Sequence, residues 1–258
     1  YTAEVAPNVK TITAPVEVSA VSGNPPSAAY SLSVEIVAED IIVRGVGEGY
    51  AKLGYLPQMQ IGDVTIYNAT FCVVDNIMPE NAEVEGMCEA VLGTHIIRKL
   101  GEIRFEREQS RFVLPEQESA APEQRNLFFD SNYYIWCKDT DQRIVMHLDT
   151  GNNRTCLSSK YFERFRERVE KEGSPVERSR SGGFGGVEWC DVRFMPKIEF
   201  EVGGQKLQLK NVSVNMPTHY EDGSPYIEQY DGVVGVDFLT ASKVVTFDLN
   251  RMFYRIDK

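Results

Sequence analysis

The feature that most constrains this chain is a stretch that occurs twice. Residues 89–114, EAVLGTHIIRKLGEIRFEREQSRFVL, align without a gap on residues 231–256, DGVVGVDFLTASKVVTFDLNRMFYRI, at an offset of 142 (231 less 89). Val91 falls on Val233, Gly93 on Gly235, Phe105 on Phe247, Glu106 on Asp248, Phe112 on Tyr254 and Leu114 on Ile256. Upstream, Ile61-Gly62-Asp63 and Asn68-Ala69-Thr70-Phe71 echo Val202-Gly203-Gly204 and Asn211-Val212-Ser213-Val214. Self-similarity at a fixed offset means one structural unit built twice. The expectation is therefore two similar lobes, residues 1–114 and 127–258. Between them, residues 115–126 (PEQESAAPEQRN) show no apolar periodicity and read as a linker.

Most of the chain reads as short strands punctuated by turns. Asn132 to Lys138 and Gln142 to Leu148 alternate apolar and polar residues around Asp139-Thr140-Asp141, the pattern of a β-hairpin. Ile198 to Glu201 and Lys206 to Lys210 do the same around Gly203-Gly204, as do Gln58 to Ile61 and Val64 to Tyr67 around Gly62-Asp63. Lys243 to Asp248 and Met252 to Ile256 read as strands about a turn at Asn250-Arg251. One helix is expected after Ser158 or Ser159, either of which can cap it. Phe162, Phe165 and Val169 share a face that reads as core, charges fill the other side, and Gly173 with Pro175 ends the helix. Shorter helical turns are expected at Thr94 to Leu100 and Asp237 to Ser242.

The chain carries one Asp-Thr-Gly. Val145-Met146-His147-Leu148 leads by alternation into Asp149-Thr150-Gly151, followed by Asn152. A carboxylate, a hydroxyl and a Gly suit a sharp turn whose backbone approaches another segment closely. Downstream, Val233-Val234-Gly235 and Val236-Asp237-Phe238-Leu239 supply an apolar pair, a Gly and a short acid-bearing segment. Together these resemble the catalytic loop and closing segment of the pepsin and retropepsin aspartic peptidases. The resemblance covers nearly all of residues 127–258. It implies an all-β chain of two similar pepsin/retropepsin-like β-barrel lobes with a few short helices, hydrolysing peptide bonds in an inter-lobe cleft. On that resemblance Asp149 carries the catalytic carboxylate, Thr150 cross-bonds the loop of the opposite lobe, and Gly151 lets the chain turn without a side-chain clash. Asn152 stands where the family usually has Ser or Ala, and its amide can bond Asp149. Asp237 is a supporting acid, structural rather than catalytic, and His147 reads as a satisfied strand histidine. The Gly-rich run holding Gly183, Phe184 and Gly185 is the flap candidate of the second lobe, and Tyr50 is the flap tyrosine candidate of the first. A phosphate loop is a poor reading of that run, because no Gly-Lys-Ser/Thr follows it.

The repeat demands a second Asp-Thr-Gly in the first lobe. The best counterpart places Val21 on Asp149, Ser22 on Thr150 and Gly23 on Gly151, so the first carboxylate is replaced by a valine. The nearby acids Glu17 and Asp40 are not followed by a hydroxyl residue and Gly. Two carboxylates about 3 Å apart cannot both ionise, so one keeps a proton while the other activates water. A lone Asp149 lacks that partner. The sequence therefore leaves two functions open: an aspartic endopeptidase whose second acid comes from elsewhere, including Asp149 of another copy, and an inactive pseudo-peptidase that binds extended polypeptide. Monomer and homodimer both remain open.

At 258 residues the chain is long enough to bury a sizeable core in one large or two small domains. Its net charge of −11 argues against nucleic acid or an anionic membrane surface as partner, since both select basic faces. No apolar run is long enough for a spanning helix. Cys72, Cys88, Cys137, Cys156 and Cys190 form no C-x-x-C, and with three scattered histidines they suggest no metal site; no cofactor is expected. Cys72 with Cys88 and Cys156 with Cys190 are possible bridges, and buried free thiols are an equal reading. A first residue that is Tyr rather than Met points to a removed leader or a truncated chain. An extracytoplasmic location (periplasmic, secreted or surface-tethered) goes with the peptidase resemblance.

Overall fold

Strands dominate the molecule, as the alternating sequence segments demand. The computed structural model describes residues 10–17, 29–44, 48–61, 64–73, 92–183, 186–219, 223–224, 226 and 228–257. The chain divides into two units, Tyr1–Leu92 with Arg180–Trp189, and Gly93–Ser179 with Cys190–Lys258. Among the described residues no helix is long and apolar enough to cross a membrane.

The first unit is built on an antiparallel meander of β1 (Lys10–Glu17), β2 (Ala29–Arg44), β3 (Glu48–Ile61) and β4 (Val64–Val73). In the β3–β4 hairpin, Leu56 pairs with Ala69 and Gln58 with Tyr67, so Pro57 faces Asn68 at an unbridged position. Proline has no N–H to give the ladder, and Asn68 sits in the left-handed region at φ 56°. Beyond this pair β4 changes which face it buries, from Ile66 to Ala69.

The second unit begins with α1 (Thr94–Leu100), then β5 (Glu102–Glu106) and β6 (Arg111–Val113). There follow β7 (Leu127–Asp130), β8 (Asn132–Asp139), β9 (Gln142–Leu148) and β10 (Cys156–Leu157). The expected single helix is two, α2 (Ser159–Arg164) and α3 (Arg166–Glu172), broken at Phe165 (φ −121°, ψ 26°). Ser158 caps α2, accepting from Tyr161 N, and Phe162, Phe165 and Val169 are buried as read. Phe165 packs its ring on Tyr161 with centroids 4.4 Å apart, a contact that lies at the break. The remaining elements are β11 (Glu177–Gly183), β12 (Gly186–Val202), β13 (Gln205–Asn215), β14 (Gly232–Val234), α4 (Val236–Thr240), β15 (Val244–Asp248) and β16 (Phe253–Asp257).

Strands β12, β13, β10, β14, β9 and β8 pair in that order, and β8 pairs again with β12 through Asp139–Phe200 and Lys138–Glu201. Six strands thus close into a ring. Its inner face holds Ile135, Cys137, Ile144, Met146, Leu157, Ile198 and Phe200, all with no exposure, and α2 with α3 adds Tyr161 and Val169 to the same core. Asp139 is buried with them and accepts from Arg168 Nη1 at 2.7 and 2.8 Å and from the Tyr161 hydroxyl. The pairing locks α3 onto the β8–β9 hairpin; removing one partner of such a buried pair typically costs about 3–5 kcal/mol. In the β12–β13 hairpin, Pro196 faces Asn211 (φ 54°) at an unbridged position, as Pro57 faces Asn68. Both strands switch buried face there, from Met195 to Ile198 and from Leu209 to Val212.

A separate four-stranded sheet runs β16–β15–β5–β6. Its register obeys the repeat. Arg104–Val113 and Phe105–Phe112 in one hairpin correspond, at the 142-residue offset, to Thr246–Arg255 and Phe247–Tyr254 in the other. The β5–β15 junction pairs Arg104 with its own repeat mate Thr246, and Phe105–Val245 with Ile103–Phe247 on either side. Exchanging the two halves maps the five β5–β15 pairs onto one another, so a local two-fold axis passes between Arg104 and Thr246. Gly93 and Gly235 both precede helices, α1 and α4.

The segment expected as a linker is fastened to this sheet. Ser119 donates its N–H and hydroxyl to Glu102 Oε2, both at 2.8 Å, and Arg251 reaches Glu102 Oε2 (2.7 Å), Asp248 Oδ2 (2.6 Å) and the Ser119 carbonyl (2.6 Å). Asn126 bonds both N–H and C=O of Tyr254. Burial alone would raise the Glu102 carboxyl, but bonds from Ser119 and Arg251 overcome it and hold it below its ordinary range. Asp248 is likewise lowered, burial being outweighed by bonds from Arg251 and Asn250. A carboxylate with a depressed folded value stabilises above its unfolded pKa and loses that contribution as pH falls through the folded value. Thermal unfolding followed by circular dichroism should therefore show Tm falling on acidification below the ordinary values of 4.5 and 3.8. Glu102→Gln should lower Tm at neutral pH and make that acid decline shallower.

Candidate active site

Asp149 ends β9, and one short strand fixes its position. β14 lies between β9 and β10, parallel to the first and antiparallel to the second. The two strands it separates flank the loop of residues 149–155. The segment around β14 is stitched to that loop bond by bond. Asp231 N donates to Val145 O (2.6 Å), Asp149 N to Val234 O (3.1 Å) and Val236 N to Asn152 O (2.8 Å). Gly235 N donates to Thr155 Oγ1 (3.1 Å), while Thr155 N and Oγ1 both donate to Asp237 Oδ1, at 2.8 and 2.7 Å. Buried Asp231 accepts from Val145 N (2.8 Å) and from Arg164 Nη1 (2.7 Å), tying α2 to the same strand. Asp237 is thus a loop clamp, the structural role read for it.

This threading needs glycine. A Cβ on Gly232 would lie 2.4 Å from the Cys156 carbonyl oxygen, and one on Gly235 2.4 Å from the Arg154 carbonyl carbon and 2.7 Å from Thr155 N. Both glycines have ordinary backbone contacts to fit; what they provide is close approach, not an unusual dihedral. The Asp149 loop itself is a tight turn. Gly151 N donates to Asp149 Oδ1 (2.9 Å) and Asn152 N to Asp149 O (3.1 Å). Asp149, Thr150 and Gly151 are exposed. The amide nitrogen of Asn152 lies 3.9 Å from Cys156 Sγ, so its side chain turns to sulfur rather than to the Asp149 carboxylate.

The ladder also sets what surrounds Asp149. Ile144 and Met146 point inward from β9, so Val145 and His147 face out, on the side from which Asp149 emerges. His147 pairs laterally with Tyr134 on β8 and with Val233 on β14; Val233 pairs with Cys156, and Cys156 with Ser213 on β13. All five are half-buried and form a row across the strands, over the outer face of the ring. Tyr230 closes one end, its ring 5.9 Å from Tyr134 and 6.0 Å from His147. Burial pushes His147 below its ordinary value against the opposing pull of the Asp149 charge, and burial pushes Tyr230 up. Burial also raises the Cys156 thiol to about 11, which keeps it protonated at neutral pH. Cys72, Cys137 and Cys156 are free thiols, and Cys88 lies outside the described residues. Among the described residues no cluster of three or more His, Cys, Asp or Glu could hold a metal ion.

The other expected site residues distribute as follows. Gly183 ends β11 and Gly186 starts β12, while Phe184 and Gly185 lie outside the described residues. Tyr50 lies on β3 and is 71% exposed. Val21, Ser22 and Gly23 lie outside the described residues. Thr155, Asp231, Arg164 and Tyr230 were not singled out from sequence. The first two were within reach, because each carries a polar side chain beside the Asp-Thr-Gly loop or the repeated segment. No protein-family model matches the chain, and no curated protein matches it.

The glycine requirement gives a test with an internal control. Gly235→Ala must displace backbone and should cost about 1–3 kcal/mol, as over-packing does. Its repeat mate Gly93 would meet only the His95 side chain, at 2.8 Å, so Gly93→Ala should stay within about 0.5 kcal/mol, like an ordinary surface change. Denaturant unfolding of the two variants measures both.

Proposed function

We propose that this protein is a relative in kind of the pepsin and retropepsin aspartic peptidases, built as two similar barrel lobes, and that it binds extended polypeptide on the face bearing Asp149. The observation that carries the reading is the Asp149-Thr150-Gly151 loop held over a threaded apolar-apolar-Gly strand, by Asp149 N to Val234 O and by Thr155 to Asp237. The half-buried row beside it supports the same reading, since an extended chain presents side chains in alternation and this row offers apolar surface to receive them. Net charge −11 fits a polypeptide partner better than a polyanion.

Cleavage is a separate matter from binding. Hydrolysis by this chemistry needs a second carboxylate to share a proton with Asp149 and to donate it to the scissile carbonyl. The repeat assigns that place to Val21, so an isolated chain binds and does not cut. A second reading, an endopeptidase assembled from two copies, is favoured by one observation: Asp149 and Thr150 are exposed and could meet the same loop of another molecule. Loss of one member of a catalytic unit costs orders of magnitude in rate. Incubation of dilute protein with an unfolded substrate such as reduced casein, across acid and neutral pH, should therefore give negligible cleavage. Efficient cleavage abolished by Asp149→Asn would replace this reading with an active aspartic endopeptidase. A rate rising with the square of protein concentration would identify the two-copy enzyme.

A further inference from the structure

We propose that His147 is a specificity-determining residue of the Asp149 face: uncharged, it completes an aromatic patch that takes an apolar or aromatic side chain of the polypeptide, and protonated, it puts a cation in the middle of that patch and turns such side chains away. The inference rests on the polypeptide-binding reading above. Its basis is placement. His147 is two residues before Asp149 on the outward side of β9, and its ring lies 5.7 Å from Tyr134 and 6.0 Å from Tyr230. Phe128 extends the patch, stacked on Tyr134 at 5.3 Å with 14° between planes. Four rings thus form one continuous surface beside the candidate carboxylate, and the imidazole is the member whose charge changes near neutrality.

The groups facing His147 are few. From β8 comes Tyr134; from the segment before β14 comes Tyr230, whose phenol burial holds in the neutral form; from β14 comes Val233, which does not titrate; from its own strand comes Asp149. Asp149 is therefore the anion that favours the imidazolium, and the aromatic burial opposes it. Burial wins, so the imidazole is neutral at neutral pH and gains its proton as pH falls below its ordinary 6.5. A ligand that binds only the neutral form then loses about tenfold in affinity for each pH unit below the midpoint. This is the reverse of the acid preference that a proton-sharing carboxylate pair would give.

Two measurements on the full chain test this. The first follows the His147 ring protons by NMR through a pH titration, in the native chain and in Asp149→Asn. Removing the anion should lower the His147 midpoint; an unchanged midpoint overturns the proposal. The second follows binding of a fluorescently labelled octapeptide with a central Phe-Phe and no charged side chains. Affinity should fall as pH drops below the ordinary 6.5, by about tenfold for each unit below the His147 midpoint that the NMR titration gives. In His147→Phe, whatever its affinity, that fall should disappear. If the native chain binds the peptide equally above and below that midpoint, or His147→Phe keeps the fall, His147 is not the switch and the polypeptide-binding reading stands. If the peptide binds at no pH, both fail together.

Discussion

Everything at the candidate site depends on a strand of three residues passing between two others. β14 can lie between β9 and β10 only because Gly232 and Gly235 let its ends touch the Cys156 and Arg154 backbone. Once there, it satisfies the polar backbone of the 149–155 loop, which would otherwise be left without partners in a partly buried setting. Val234 O receives Asp149 N, Asn152 O receives Val236 N, and Thr155 bridges Gly235 to Asp237. Asp149 is therefore not a mobile surface acid. Its backbone is fixed from below by ladder bonds and its carboxylate is oriented by Gly151 N. The half-buried row through His147, Val233 and Cys156 is a by-product of the same pairing, since lateral neighbours in register must share a face.

The second organising fact is a register that is unchanged by exchanging halves. Arg104 opposite Thr246 at the β5–β15 junction, with equivalent hairpins outside it, is the arrangement of two equal units meeting about a two-fold axis. The two halves differ in their packing. Tyr254 is buried, with its hydroxyl bonded to Phe238 O, whereas its mate Phe112 is 61% exposed. The cluster of Glu102, Asp248 and Arg251 is likewise one-sided, and it fastens residues 115–126 to the sheet. This explains why residues 93–114, first-half by sequence, share a unit with the second half.

Much of this was legible in the residues. The hairpin turns at Asp139-Thr140-Asp141 and Gly203-Gly204, the cap at Ser158 and the helix Thr94–Leu100 followed from turn chemistry and periodicity. The lengths of β12 and β13 did not. Their alternation changes phase at Pro196 and Asn211, so each strand reads as two unrelated fragments. The same Pro–Asn pairing at Pro57 and Asn68 was a repeat signal available in sequence. The break at Phe165 was illegible because both halves of the helix keep one apolar stripe. The clamps from Asp231 and Asp237 join residues more than eighty positions apart and leave no periodic trace.

The reading proposed above is that this chain presents a single carboxylate, Asp149, where an aspartic peptidase presents two. The most direct test is the distance from the Asp149 carboxylate to the nearest other carboxylate oxygen, measured in a high-resolution crystal structure of the full chain. The account predicts none within about 4 Å, beyond the reach of proton sharing. A second carboxylate oxygen at about 3 Å, from any residue of this chain, would contradict it.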